Sequence, residues 1–135
     1  MRSEDFAIAR YYRRLDKLEA GDPLELIAEE FAFAIHVPGG DLFAGGTDEL
    51  RGYMAQRGPG AIGRVHNILH ATMDDSLEVV YGEVVEHEET RTGSFIAAAE
   101  SNSDGLITRY VVAFTPGLLF PAASRLREMN VKQAP

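Results

Sequence analysis

The sequence predicts one α+β domain, with helices in its N-terminal half packed on one face of a mainly antiparallel sheet. Three observations carry this. An apolar stripe at helical spacing opens the chain, at Ile8, Tyr11, Leu15 and Leu18. The second half reads as four period-two segments joined by tight-turn signals. No repeat, low-complexity tract or linker divides the 135 residues, a length that suits one domain burying its own core.

Each element has its own signal. The stripe, with Tyr12 beside it, places a first helix between Glu4 and Ala20, and Gly21 is its stop. Asp22-Pro23-Leu24-Glu25 starts a second, short helix. Asp22 suits the N-cap, Pro23 the first helical position, and Glu25 the reach-back of a capping box. Phe31 to Val37 alternates large with small, which means a strand, ended by Pro38-Gly39-Gly40. Thr47 caps a third helix over roughly Asp48 to Arg57, with Asp48 and Glu49 in its first turn and Gly58-Pro59-Gly60 as its stop.

Four strands follow, at Arg64 to Met73, Leu77 to about Glu88, Ser94 to Glu100 and Leu106 to Thr115. Asp74-Asp75-Ser76, Thr90 to Gly93 and Asn102-Ser103-Asp104-Gly105 turn them into an antiparallel meander. The domain so read spans residues 1–117, and residues 118–135 form a C-terminal tail. Leu118, Leu119 and Phe120 are expected to pack on the domain, across the pocket mouth or on a second subunit.

Composition excludes several kinds of function. Hydrophobic residues at 45% and charged residues at 25% belong to a globular chain rather than a disordered one. There is no cysteine, hence no thiol nucleophile, disulfide or Cys-based metal site. A net charge of −8 repels phosphate backbones and anionic lipid, so neither nucleic acid nor membrane is expected as a partner. The basic cluster Arg10, Arg13, Arg14 and Lys17 reads as a solvated helix face. The opening MRSEDFAIARYYRR carries charges where a signal peptide needs an apolar run, and no apolar stretch approaches the ~20 residues of a membrane span, so a cytoplasmic protein is expected. No GKS/T phosphate loop, GxGxxG after a strand or GxSxG elbow is present, and no cofactor is expected.

Several local strings, in this order, resemble the SnoaL-like branch of the nuclear transport factor 2-like superfamily. They are YYRRLDKLEAGD, AIHVPGG, GGTDELRGYM, RVHNILHATMDD and SDGLITRYVVAF, and together they cover about Glu4 to Thr115. The resemblance implies a cone: three helices in the N-terminal half capping a strongly bent, mainly antiparallel sheet that encloses a pocket. It also implies a homodimer through the outer sheet face. It does not imply one function, because the superfamily includes polyketide cyclases, ketosteroid isomerases, dehydratases, epoxide hydrolases and non-catalytic binders.

Two of those mechanisms do not transfer intact. Ketosteroid isomerases place an aspartate base just before a proline at the end of the first strand, where this chain has Val37 before Pro38. Their oxyanion tyrosine, seven residues before a Gly-Asp pair, corresponds to Arg14. Scytalone-type dehydratases need polar side chains on that strand, which here offers Phe33, Ile35 and Val37 as an apolar ligand wall. A shift of one residue would instead turn His36 inward.

His66 and His70 form an HxxxH pair, but on a strand they stand ~13 Å apart, too far to share a metal ion, and no metal site is expected. His66 matches a histidine that faces the pocket in dehydratase-type members and suits acid–base work; a surface histidine is the alternative. On the following strand Leu77, Val79, Tyr81, Glu83, Val85 and His87 share the more apolar face, with Glu83 in its middle. A carboxylate there is a second acid–base group, one half of an ion pair with Arg109 or Arg64, or part of a dimer interface. His87, among Glu86, Glu88 and Glu89, reads as part of a solvated hairpin tip. Tyr11, Tyr81 and Tyr110 offer hydroxyls that would orient a ligand carbonyl, or serve only as packing.

The expected function is therefore a cofactor-independent isomerase, cyclase or dehydratase, moving a proton on a small, largely apolar carbonyl or hydroxyl compound, with His66 and Glu83 as its acid–base pair. The alternatives are a binding module that holds such a ligand unchanged, and a dimerisation domain whose interior is filled.

Overall fold

The computed structural model describes residues 2–57, 63–86 and 90–116, together with Leu119. It is an α+β domain with two α-helices among these residues, α1 (Ala7–Leu15) and α2 (Thr47–Arg57). The strands are β1 (Ile27–His36), β2 (Leu42–Gly45), β3 (Val65–Asp74), β4 (Leu77–Glu86), β5 (Thr90–Ser101) and β6 (Ile107–Pro116). They form one mixed sheet in the order β2-β1-β6-β5-β4-β3. The meander β3 to β6 is antiparallel throughout, whereas β1 lies parallel to β6.

The expected second helix is a single 3₁₀ turn, Pro23–Leu26. Its capping box does form: Leu24 N–H donates to Asp22 Oδ1 at 2.9 Å, and Asp22 N–H donates to Glu25 Oε1 at 3.3 Å. Propagation fails because Ile27 is already extended and paired with Ile107. A helix of one turn cannot outcompete a strand that gains ladder bonds on a central neighbour.

The first helix stops at Leu15, well short of Gly21. Lys17 takes the left-handed position at φ 64°, and Leu18 N–H closes on the Arg13 carbonyl at 2.8 Å. Leu18, expected on the buried stripe, is 63% exposed. At the other end of α1 no local side chain caps the helix. Glu78 of β4 does so from across the sheet, its two carboxylate oxygens accepting from Ala7 N–H at 2.8 Å and Ile8 N–H at 2.9 Å. A buried carboxylate at a helix N-terminus is held both by these bonds and by the helix dipole.

The sheet has a helix-covered face and an outer face. Gly82, Phe95 and Phe114 lie opposite one another across β4, β5 and β6 on the covered side. A methyl group on Gly82 would run into the Phe95 ring and the Asn67 carbonyl, so only glycine lets that ring lie flat against β4. Ile8, Tyr11, Tyr12, Leu50, Val80, Phe95 and Val112 are among the residues of the buried core. Ile96 and Val111 face outward, 60% and 51% exposed. No helix among the described residues is long and apolar enough to cross a membrane. The tail from residue 118, the Gly58-Pro59-Gly60 stop and His87 lie outside the described residues, apart from half-buried Leu119.

Candidate functional site

Asp16 is the residue that organises the site. It follows the last residue of α1, where the negative end of the helix dipole disfavours a carboxylate, so another interaction has to hold it. That interaction is with the start of β3. Asp16 Oδ2 accepts from the His66 backbone N–H at 2.7 Å, and Oδ1 lies 2.9 Å from His66 Nδ1. Both side chains are enclosed, 1% exposed for Asp16 and 4% for His66. A carboxylate on Nδ1 fixes the neutral ring as the Nδ1–H tautomer and leaves the Nε2 lone pair as an acceptor.

The ring itself is clamped by aromatics. Tyr12 stacks on it at 4.5 Å and 7° from parallel, while Phe95 meets it edge-on at 5.5 Å. Tyr12 is held in turn by a 2.7 Å hydrogen bond between its hydroxyl and that of Tyr110. His66 forms part of the wall of a cavity of about 360 Å³ between α1, α2 and the covered sheet face.

Ile35 from β1, Val37 just past its end, Leu15, Met54 and Phe114 supply apolar wall. The polar minority consists of His66, Tyr11, Tyr53, Tyr110, Ser94, Thr92, Thr115, Glu86 and two arginines, Arg57 and Arg64. Arg64 is neutralised by Glu86, whose Oε1 accepts from Nε at 3.1 Å and Nη2 at 2.9 Å. Burial raises the Tyr11 phenol well above its ordinary value, an effect that Arg57 opposes and that Tyr53 and Asp16 reinforce. Burial likewise raises Tyr12 and Tyr110. These phenols stay protonated through neutral pH and act as donors, not bases.

This combination of curved mixed sheet, flanking helices and walled space has counterparts among solved structures. A candidate ketosteroid isomerase of Kribbella flavida matches at TM-score 0.62 and 17% identity, over 96% of this chain and 87% of its own. A candidate polyketide cyclase of Sinorhizobium meliloti matches at 0.57 and 18%, over 83% and 99%. A candidate isomerase of the SnoaL-like family from Agrobacterium tumefaciens matches at 0.57 and 14%, over 80% and 94%. The fold is that of the SnoaL-like, nuclear transport factor 2-like proteins. Neither a protein-family model nor a curated protein matches the sequence.

On this nuclear transport factor 2-like frame the singled-out residues divide sharply. Tyr11, Ile35, Val37, His66 and Tyr110 all line the cavity. Phe33 is buried one layer away, stacked on Phe31 at 5.9 Å, and does not line it. Tyr81 and Glu83 are on the other side of the sheet. The cavity takes Val84 and Glu86 from β4, so the even-numbered positions face inward, and the more apolar odd-numbered set faces out. Overall apolarity misleads here because the outer face of the sheet is apolar as well. Glu83, 1% exposed, bonds to Arg91 Nη1 at 3.1 Å rather than to Arg109 or Arg64.

His36 is exposed, so β1 keeps Ile35 inward. His70 pairs with Tyr81 on the outer side, because a bulge between Ile68 and His70 breaks the alternation that would have kept it beside His66. Among the described residues no group of three or more His, Cys, Asp or Glu is placed to hold a metal ion. Sequence reasoning missed Asp16, Tyr53, Arg57 and the Arg64–Glu86 pair. The one local signal for Asp16 was an acidic residue at the wrong end of a helix dipole.

Proposed function

We propose that the chain is a cofactor-free acid–base catalyst of the isomerase or cyclase type, in which His66 moves a proton beside the carbonyl of a small, largely apolar molecule. The observation that supports this most is the Asp16–His66 pair, enclosed at 2.9 Å with its ring in the cavity wall. The walled space is the ligand pocket in this scheme, and at about 360 Å³ it suits a ligand at the small end of the usual range.

His66 Nε2 takes a proton from the carbon next to the carbonyl, and the C–H electron pair moves into the C–C–O system as an enolate. Asp16 holds the ring in register and faces the positive charge that forms on it. Tyr11, kept protonated by burial, donates a hydrogen bond to the developing oxyanion. Return of the proton to a different carbon completes an isomerisation and leaves His66 neutral; attack of the enolate carbon on a second carbonyl, with His66 giving its proton to the alkoxide so formed, would complete a cyclisation. With Val37 in place of a carboxylate at the end of the first strand and Glu86 held by Arg64, His66 is the base this reading assigns.

A substrate need not be known to test this. The full-length protein is incubated in D₂O with a panel of small cyclic ketones, and deuterium uptake next to the carbonyl is followed by NMR. Uptake is expected to depend on His66, with His66→Ala slower by about 10²-fold or more. Equal uptake by the wild type and His66→Ala would refute the assignment.

We infer further that two copies associate through the outer sheet face. Ile96 and Val111 present an exposed apolar centre there, and Arg109 and Glu100 stand beside each other at 3.9 Å, 74% and 48% exposed. A two-fold axis would let each arginine reach the other copy's glutamate, which is how an isologous interface satisfies its charges.

A further inference from the structure

The cavity holds a cation that proton transfer does not use. Arg57, the last residue of α2, lines the cavity with Tyr11 and Tyr53 and is half-buried. Arg2, Arg13, Arg14, Arg51, Arg64 and Arg91 each lie within 3.4 Å of a carboxylate. Arg57 makes no ion pair or hydrogen bond with any described residue.

We propose that Arg57 is a carboxylate-binding residue, so that the pocket selects small carboxylic acids with an apolar body. This rests on the cavity being a ligand site and narrows the class of compound it takes. A guanidinium facing an apolar wall is poorly solvated, and the partner that best relieves it is an anion matching its planar fork. Arg64 cannot serve, since Glu86 already occupies it with two hydrogen bonds. Tyr11 and Tyr53 both feel the Arg57 charge and both stay protonated, so their hydroxyls add donors on the same side. The chain as a whole carries −8, which repels anions at long range. Selection of an acid therefore has to come from this one short-range contact. The competing explanation is a solvated cation on the C-terminal end of a helix dipole, and that would confer no preference among ligands.

The two explanations separate with benzoate and benzamide as matched probes, titrated into the full-length protein and followed by NMR. Benzoate is expected to bind about tenfold more tightly than benzamide, with shifts at Tyr11, Tyr53 and His66. Arg57→Gln should remove that tenfold preference and leave benzamide affinity unchanged within about twofold, whereas Arg57→Lys should keep part of it. Equal affinity for the two probes, a preference that survives in Arg57→Gln, or no binding of benzoate would each overturn the proposal. Benzoate preference in a protein that exchanges no ketone proton would leave the anion site standing and remove the proton-transfer function. Exchange without benzoate preference would do the reverse.

Discussion

The ring of Tyr12 lies 4.5 Å from that of His66 and within 7° of parallel, and its hydroxyl is tied to Tyr110 at 2.7 Å. Helix, β3 and β6 thus meet on one imidazole, with Asp16 fixing its edge and Tyr12 its plane. Tyr12→Phe should separate the two functions of this residue. It keeps the stack but strands the buried Tyr110 hydroxyl, so a loss of roughly 1–3 kcal/mol in urea unfolding is expected, with ketone exchange nearly unchanged. Exchange lost together with full stability would contradict it.

Asp16→Asn tests the pair directly. The amide retains the size of the carboxylate but not its charge, so the imidazolium formed during proton transfer loses its counter-charge. Exchange should slow by about 10²-fold or more. The ¹⁵N shifts of the His66 ring should report the Nδ1–H tautomer in the wild type and a changed tautomer balance in the variant. Unchanged shifts would mean that Asp16 merely packs.

Glu78→Ala should be costly although Glu78 does not line the cavity. It removes two charge-assisted hydrogen bonds and leaves the N–H groups of Ala7 and Ile8 without partners at the start of a buried helix. About 2 kcal/mol or more should be lost in denaturant unfolding. A change under about 0.5 kcal/mol would show that water replaces the carboxylate easily.

Alkaline stability follows from the phenols. Tyr11, Tyr12 and Tyr110 have folded-state values raised above the ordinary 10.0 by burial. The unfolded chain therefore loses protons that the folded chain keeps, and stability falls as pH rises above about 10. Below that pH the contribution is complete. Thermal midpoints measured from pH 8 to 12 should be level and then decline, with tyrosinate absorbance appearing together with unfolding. Tyrosinate appearing freely in the folded protein would disprove the burial argument.

The outer-face dimer is tested by Val111→Glu, which places a charge in the centre of the proposed interface. Light scattering should give a dimer for the wild type and a monomer for the variant at equal helix content. A monomeric wild type at high micromolar concentration would rule out the association.

Strand periodicity and turn chemistry make most of the architecture legible in the sequence. Thr47 opens α2, Asp75 turns at φ 60°, and Asn102 Oδ1 accepts from Asp104 and Leu106 N–H at 3.0 Å to shape the last hairpin. Local signals failed where a distant partner decided the outcome. The capping box at Asp22 was real, yet Ile107 drew the chain into a strand one turn later. Lys17 rather than Gly21 ended α1. The short edge strand β2, Leu42–Gly45, lies between glycine pairs that read as loop and exists because β1 offers it a partner.

For the site, the His66 position was visible by resemblance. Its dependence on Asp16 was not, because a contact across fifty residues leaves no period in the sequence. The inward face of β4 was misjudged from apolarity, since the outward face is apolar too.

The parallel pairing of β1 with β6 has a consequence for how the protein is made. Ile35 emerges from the ribosome well before the strand it pairs with, Ile107–Pro116. Until then the wall it belongs to has no sheet to lean on, and its apolar side chains are open to chaperones and to other nascent chains. The β1–β6 ladder should thus close late in folding, and the cavity should take shape only once Ile107–Pro116 is available to pair.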